Sequence, residues 1–353
     1  MMFVNIQYLR AIAALMVVFQ HSQFVHHPAG MGIFGGLGVD LFFAISGFVI
    51  FATTLRDFSL REYLLKRCIR IIPMYWALTF LMAALILGAP SLFSSTIFKF
   101  DHFVRSLLFI PTYTPSRPNE ITPLLPPGWT LNYEMFFYVS FGLLLVLLRN
   151  RSLLLVTLTV LFGSLVVAGF FLKTDAAVVV TYTSWRLLEF LAGVFAAYLL
   201  LYWPRLPMKP IVAWTLMASG WGLLVYVGFF EGSIASLIAG IFVIVFAAAA
   251  LDRAGASGSL PFFKLLGDAS YSIYLIHIFV AGALKQVLSR FAAVNDSLTQ
   301  TIMFMSAVIV LSTCAGALMY LYLEVPVLGF LRRRLLKSRN GRLSPVEETG
   351  FAR

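Results

Sequence analysis

Cysteine is scarce in this chain: Cys68 and Cys314 are the only two in 353 residues. Two thiols so far apart build no disulfide framework and no metal-ligand spacing, so a stapled secreted scaffold is excluded and no metal site is expected. Charge is scarce as well. Only 12% of the residues are Asp, Glu, Lys or Arg, about half the usual share, which rules out two ordinary soluble domains. No strand alternation, internal repeat or soluble domain stands out. The first apolar run also lacks a basic leader and an A-x-A cleavage pattern, so it is expected to be a retained helix.

What the chain has in abundance is apolar length. Sixty per cent of the residues are hydrophobic and the mean hydropathy is +0.91. Long apolar stretches recur from end to end, which predicts an all-α polytopic integral membrane protein lying in a lipid bilayer. The periodicity predicts about ten transmembrane helices, near 6–26, 36–54, 70–88, 130–149, 152–172, 183–203, 211–229, 232–251, 269–289 and 301–324.

The formal charge of +11 raises the question of nucleic acid, and the placement of the charges answers it. Alternate loops hold Arg56, Arg61, Lys66, Arg67, Arg70, Arg149, Arg151, Arg205, Lys209, Arg253 and Lys264, and the C-terminal tail adds seven more cations. The opposite loops hold only Lys99, Arg105, Arg117, Lys173 and Arg290. Eighteen cations against five is the positive-inside pattern, so both termini are expected in the cytoplasm and no nucleic-acid partner is expected.

Two charged positions on the first helix organise the reading. Arg10 and His21 lie eleven residues apart, close to three full turns, so they share a face with Ala14 and Val17. The rise separates them by about 16 Å. A guanidinium that far into a spanning helix is costly and faces a partner or a wet cavity. With the termini inside, Arg10 is near the cytoplasmic end and His21 is about 7 Å below the outer end. Glu134, on the fourth span, is expected at the same level as His21. A carboxylate beside an imidazole fixes its tautomer and stabilises the imidazolium, so the two read as an acid–base pair, the other reading being a histidine hydrogen-bonded within the bundle and a glutamate capping the start of its helix. Asp40 follows Gly35-Gly36-Leu37-Gly38-Val39 on the second span, on a small-residue face with Ala44 and Gly47. Close packing explains the small residues. The acid reads as orienting His21 or hydrogen-bonding a substrate hydroxyl.

At the cytoplasmic end the stretch REYLLKRCIRIIPMYW carries Arg67 and Arg70, three apart and so neighbours on a helix. With Arg10 they form a cationic cluster suited to phosphate groups, which arginine binds bidentately. Anionic lipid is the other occupant such a cluster accommodates. The one long connection, about 90–129, is rich in Pro, Ser and Thr and reads either as a lid or acceptor-binding loop, or as a spacer. Arg186 and Glu189, at i and i+3, most simply neutralise each other. His277 shares a face with Ser270 and Tyr274, either lining the cavity or satisfied within the bundle. Glu324-Val325-Pro326 reads as structural. The tail from 331 to 353 is basic, then polar, and is expected to be disordered.

Five stretches, in order, carry a family resemblance. LRAIAALMVVFQH at 9–21, GVDLFFAISGFVI at 38–50, KRCIRIIPMYW at 66–76, WTLNYEMFFY at 129–138 and SYSIYLIH at 270–277 resemble the motifs of the membrane acyltransferase type 3 family. The likeness covers about residues 4–330, one transmembrane domain. The opening NIQYLRAIAAL looks most like the subgroup that acetylates bacterial exopolysaccharides. The resemblance implies an O-acetyltransferase of the bacterial inner (plasma) membrane. It would take an acyl group from cytoplasmic acyl-CoA, usually acetyl-CoA, and place it on a carbohydrate hydroxyl at the outer face. The acceptor would be a polysaccharide or a lipid-linked oligosaccharide. It ties activity to Arg10, His21, Arg67 and Arg70, and many such proteins carry a further C-terminal periplasmic domain that this sequence lacks. On this reading acyl-CoA phosphates sit on Arg67, Arg70 and Arg10, and the thioester arm follows the Arg10–Ala14–Val17–His21 stripe. The rival classes are a transporter or flippase for a sugar or lipid-linked substrate, and a membrane scaffold. No matched pair of Gly/Pro-broken helices favours the transporter.

Overall fold

The computed structural model describes residues 3–22, 31–54, 58–93, 96–202, 209–230, 232–291 and 298–336. Its first helices are α1 Val4–His21, α2 Met31–Thr53, α3 Leu60–Gly88, α4 Phe100–Leu107, α5 Trp129–Leu147, α6 Arg151–Phe171 and α7 Ala177–Tyr182. They continue as α8 Leu187–Tyr202, α9 Pro210–Phe230, α10 Ile234–Arg253, α11 Pro261–Asp268, α12 Ser270–Phe291, α13 Leu298–Met319 and α14 Val325–Leu335. Arg56, Arg205, the end of the first predicted helix beyond Ser22, and the tail from 337 lie outside the described residues.

Among the described residues, nine helical spans are long and apolar enough to cross a membrane. They correspond to the second through tenth predicted spans. The first, α1, carries Asn5, Gln7, Arg10, Gln20 and His21 within 18 residues, and it reaches the required length at the cost of apolarity. Tertiary packing explains how it is accommodated. It lies against α2, α10, α11, α12 and α13, with Ala11, Ala13, Ala14 and Val18 fully buried. By contrast, α6 and α9 have only 28% of their most apolar window buried, against 72% for α2. Their exposed Phe170, Phe171, Ile211 and Trp214 suit hydrocarbon, so α1 and α2 form the axis and α6 and α9 the rim.

Local chemistry starts and stops these helices where the sequence allows. Ser59 accepts from the Glu62 amide at the head of α3, and Asn150 accepts from the Ser152 and Leu153 amides at the head of α6. Each side chain satisfies amides that the first turn leaves unpaired. Proline opens α9 and α11, where its missing N–H is no loss. Close approach between α2 and α8 depends on Gly47 and Gly193. A methyl on Gly47 would strike the Phe190 carbonyl and one on Gly193 the Ala44 carbonyl, so the small-residue face around Ala44 and Gly47 does pack a neighbouring helix.

The long connection is folded, and here the expectation of no strands is corrected. After α4 comes an antiparallel hairpin, β1 Tyr113–Thr114 and β2 Arg117–Ile121, with Thr114 opposite Arg117. Two and five residues are too few for a periodic signal, so tertiary anchoring decides the matter. His102 Nε2 donates to the Thr122 carbonyl (3.0 Å), the Leu124 amide donates to Ser106 Oγ (2.9 Å), and the Tyr75 hydroxyl of α3 donates to the Ser106 carbonyl (3.1 Å). Phe109 adopts the left-handed region (φ 56°), uncommon for an aromatic, with its ring 5.0 Å from that of Tyr75. Burial holds the His102 imidazole below its ordinary pKa of 6.5. The segment is thus docked on the middle of α3, at Tyr75 and Trp76. At the other end of the chain, helix extends through Arg332, Arg333 and Arg334 to Leu335, so the first residues of the tail are ordered.

Candidate active site

Two cavities lie at different levels of α1. The first, about 160 Å³, is lined by Arg10 of α1, Arg67 and Arg70 of α3, Glu134 and Tyr138 of α5, and Tyr271 of α12. Arg10 sits there because Gln7 and Ser270 hold it: Nη1 donates to Gln7 Oε1 (3.0 Å) and Nη2 to Ser270 Oγ (2.9 Å). The Arg67 guanidinium carbon stands 5.7 Å from the Tyr63 ring centre and 5.8 Å from that of Tyr138, and its buried Nε makes no hydrogen bond. The Tyr138 hydroxyl donates to Glu134 Oε2 (2.9 Å). Its one proton being used there, Ser46 Oγ at 3.0 Å donates to Tyr138. Three guanidiniums and one carboxylate therefore line the cavity, and the carboxylates of Glu324 and Asp268 act on Arg10 and Arg70 from just outside it. Its volume is below the usual ligand-pocket range of about 300–1,000 Å³, so it admits only a compact anionic part of a larger molecule.

The second cavity, about 690 Å³, lies beneath the folded connection. His21, Asp40, Arg186 and His277 line it from the bundle, and Arg117 and Glu120 line it from β2. His21 Nδ1 is 3.0 Å from the Val17 carbonyl and His277 Nδ1 is 2.6 Å from the Tyr274 carbonyl. A carbonyl only accepts, so each Nδ1 carries a proton, and the tautomer this selects leaves Nε2 as the position able to accept one. The two ring centres are 4.8 Å apart. His277 is completely buried with Nε2 unpartnered, whereas His21 is exposed to the cavity.

Several expected juxtapositions change. Glu134 is not at the level of His21. It lines the arginine cavity, because α1 ends at His21 while α5 begins at Trp129 and carries Glu134 about 7.5 Å further along. The group beside His21 is His277, one of the two readings its sequence position allowed. Asp40 does share the cavity of His21, but its Oδ1 is 2.6 Å from Arg186 Nη1. Arg186 is also 3.6 Å from Glu189 Oε1, so it serves two carboxylates on different helices rather than Glu189 alone. Arg186 also stands 5.0 Å from the ring centres of Trp129 and Trp185. The α1 stripe is not an open groove either: Ala14 is fully buried in a cluster with Ile273 and Val308. Arg10, Arg67 and Arg70 come together as the spacing suggested.

One buried acid exceeds its sequence reading. Glu324 ends a π-helical turn, Tyr320–Glu324, a distortion often found near functional sites. Its Oε2 accepts from Ser272 Oγ at 2.6 Å while buried Oε1 has no hydrogen bond. An acid inside an apolar run, followed by Pro326, was the available signal.

The family described as acyltransferase domain matches residues 3–321. The exopolysaccharide production protein ExoZ of Rhizobium meliloti (strain 1021) is 36% identical over 299 residues, spanning 83% of this chain and 90% of that protein. Nodulation protein 10 of Rhizobium leguminosarum bv. viciae is 27% identical over 310 residues, covering 78% and 82%. The O-acetyl transferase of Shigella phage Sf6 is 30% identical over 171 residues, covering 45% and 51%. No solved structure matches.

Proposed function

The chain belongs to the type 3 family of membrane acyltransferases, and from that premise we propose that it carries an acetyl group from acetyl-CoA, across α1, to a carbohydrate hydroxyl. The observation that carries this reading is the separation of chemistries on one helix: an arginine cavity around Arg10 and a two-histidine cavity around His21. Arg10, Arg67 and Arg70 take the donor's phosphates, with the bulk of the nucleotide outside the narrow cavity. The bias of loop charge supports assigning that side to the cytoplasm of a bacterial inner membrane. The acceptor, an exopolysaccharide or lipid-linked sugar, enters the larger cavity beneath the connection.

In the reaction the acceptor oxygen attacks the thioester carbonyl as its proton passes to His21 Nε2. The carbon–sulfur bond then breaks and the thiolate takes that proton, leaving an ester and free CoA. An acyl-His21 relay uses the same groups in two steps. His277 supports the imidazolium site, Asp40 fixes Arg186 as a wall of the cavity, and Glu134 with Tyr138 orients the arginines. Membrane vesicles given labelled acetyl-CoA and de-O-acetylated exopolysaccharide should show label bound covalently to the polymer. Label that crosses without attaching would replace this reading with transport, and complete inertness would leave a scaffold.

A further inference from the structure

Among the described residues, the two cavities share two lining residues, Val39 of α2 and Tyr274 of α12. Both are buried, Tyr274 at 7% exposure. The position of Tyr274 is fixed by four residues. Its hydroxyl donates to the Pro127 carbonyl (2.9 Å) and lies 3.0 Å from Thr130 Oγ1. Its ring meets Phe42 edge-on at 6.0 Å and stands 5.9 Å from the His277 ring. Its own carbonyl accepts the Nδ1 proton of His277. One residue thus touches the end of the long connection, the head of α5, a wall of the arginine cavity and the histidine pair.

Resting on the transfer reading above, we infer that Tyr274 is the partition that decides which nucleophile meets the thioester. A cavity of about 690 Å³ at His21 has room for water, and water at an activated imidazole competes with the acceptor hydroxyl. Its attack forms a carbon–oxygen bond and breaks the carbon–sulfur bond, giving a carboxylic acid and free thiol with nothing transferred. An active site guards against that reaction by excluding water until the substrate is in place. Pro127 and Thr122 belong to the wall of the acceptor cavity, so an acceptor seated there presses on the segment to which the Tyr274 hydroxyl is latched. Releasing the latch lets the ring turn and joins the cavities only when the hydroxyl to be acylated is present. The ring also sets the width of the passage, and with it the size of acyl group admitted.

The experiment measures free thiol released from acetyl-CoA alone, beside acetyl transfer to de-O-acetylated exopolysaccharide, in vesicles of the full chain. Tyr274→Phe keeps the ring and loses the latch, and it should raise acceptor-independent thiol release roughly 2- to 10-fold, the worth of one hydrogen bond. Tyr274→Ala removes the partition and should raise it further, while butyryl-CoA becomes a usable donor. Val39→Ala widens the passage from the other wall and should admit butyryl-CoA without unlatching Tyr274. If wild type transfers acetyl and both Tyr274 variants release no more thiol than it does, the partition is overturned although the transfer reading survives. If wild type transfers nothing to the polymer, both fall.

Discussion

The two cavities treat arginine in opposite ways. In the larger one, Arg186 is held by carboxylates, Asp40 at 2.6 Å and Glu189 at 3.6 Å, and its charge is already compensated. In the smaller one, Arg10 is held by the neutral Gln7 and Ser270 and Arg67 by tyrosine faces. Glu134, Glu324 and Asp268 act on Arg10 without a direct ion pair, and neutral hydrogen-bond partners fix its direction without occupying it as a carboxylate would, so an anion gains more in the second setting than in the first. A buried arginine therefore does not by itself mark an anion site. Its partners decide whether it builds a wall or binds a ligand.

The two cavities should part most sharply at His21. His21→Gln should lower the transfer rate about 100- to 10,000-fold, the usual contribution of a general base, with donor KM and the melting profile in detergent unchanged. Steady-state transfer to the polymer measures this, and full activity would remove His21 from the chemistry. Asp40→Asn should act on the other property: leaving Arg186 with one fewer carboxylate should cost about 3 kcal/mol of stability, read as a lowered unfolding midpoint with donor KM unmoved. Arg67→Ala combined with Arg70→Ala should raise donor KM at least about tenfold, as expected for lost charge-assisted hydrogen bonds. An unchanged KM would mean that these cations meet lipid instead.

The smallest effect concerns the roof of the larger cavity. Because the folded connection holds His102 below 6.5, folding favours the neutral imidazole. That stability is complete above about pH 6.5 and is lost as pH falls through the lower folded value. Protection factors of residues 100–124, which compare hydrogen exchange with the intrinsic rate at each pH, should therefore fall at acid pH, by less than tenfold. His102→Gln, which still donates to the Thr122 carbonyl, should flatten the profile.

The arginine cluster was legible because helical spacing brings Arg67 and Arg70 to one face and loop charge sets the level of Arg10. The partner of His21 was not, for a definite reason. Depth along a span depends on where each helix ends, and α1 ends at His21 rather than several residues beyond it, which displaces Glu134 from its level. The link from Arg186 to Asp40 spans 146 residues, beyond any local pattern. The hairpin was missed because strands of two and five residues carry no period.

The sequence by itself determined the membrane class, nine of the ten expected spans as long apolar helices, and the residue types able to do the chemistry. Those follow from hydropathy, helical period and the cost of charge in hydrocarbon, all of which act locally along the chain. Tertiary structure alone decided that His277 and not Glu134 stands beside His21, that Ala14 closes the direct path along α1, and that Tyr274 lies between the cavities. Such pairings depend on where helices end and how they rotate against one another, and packing sets both.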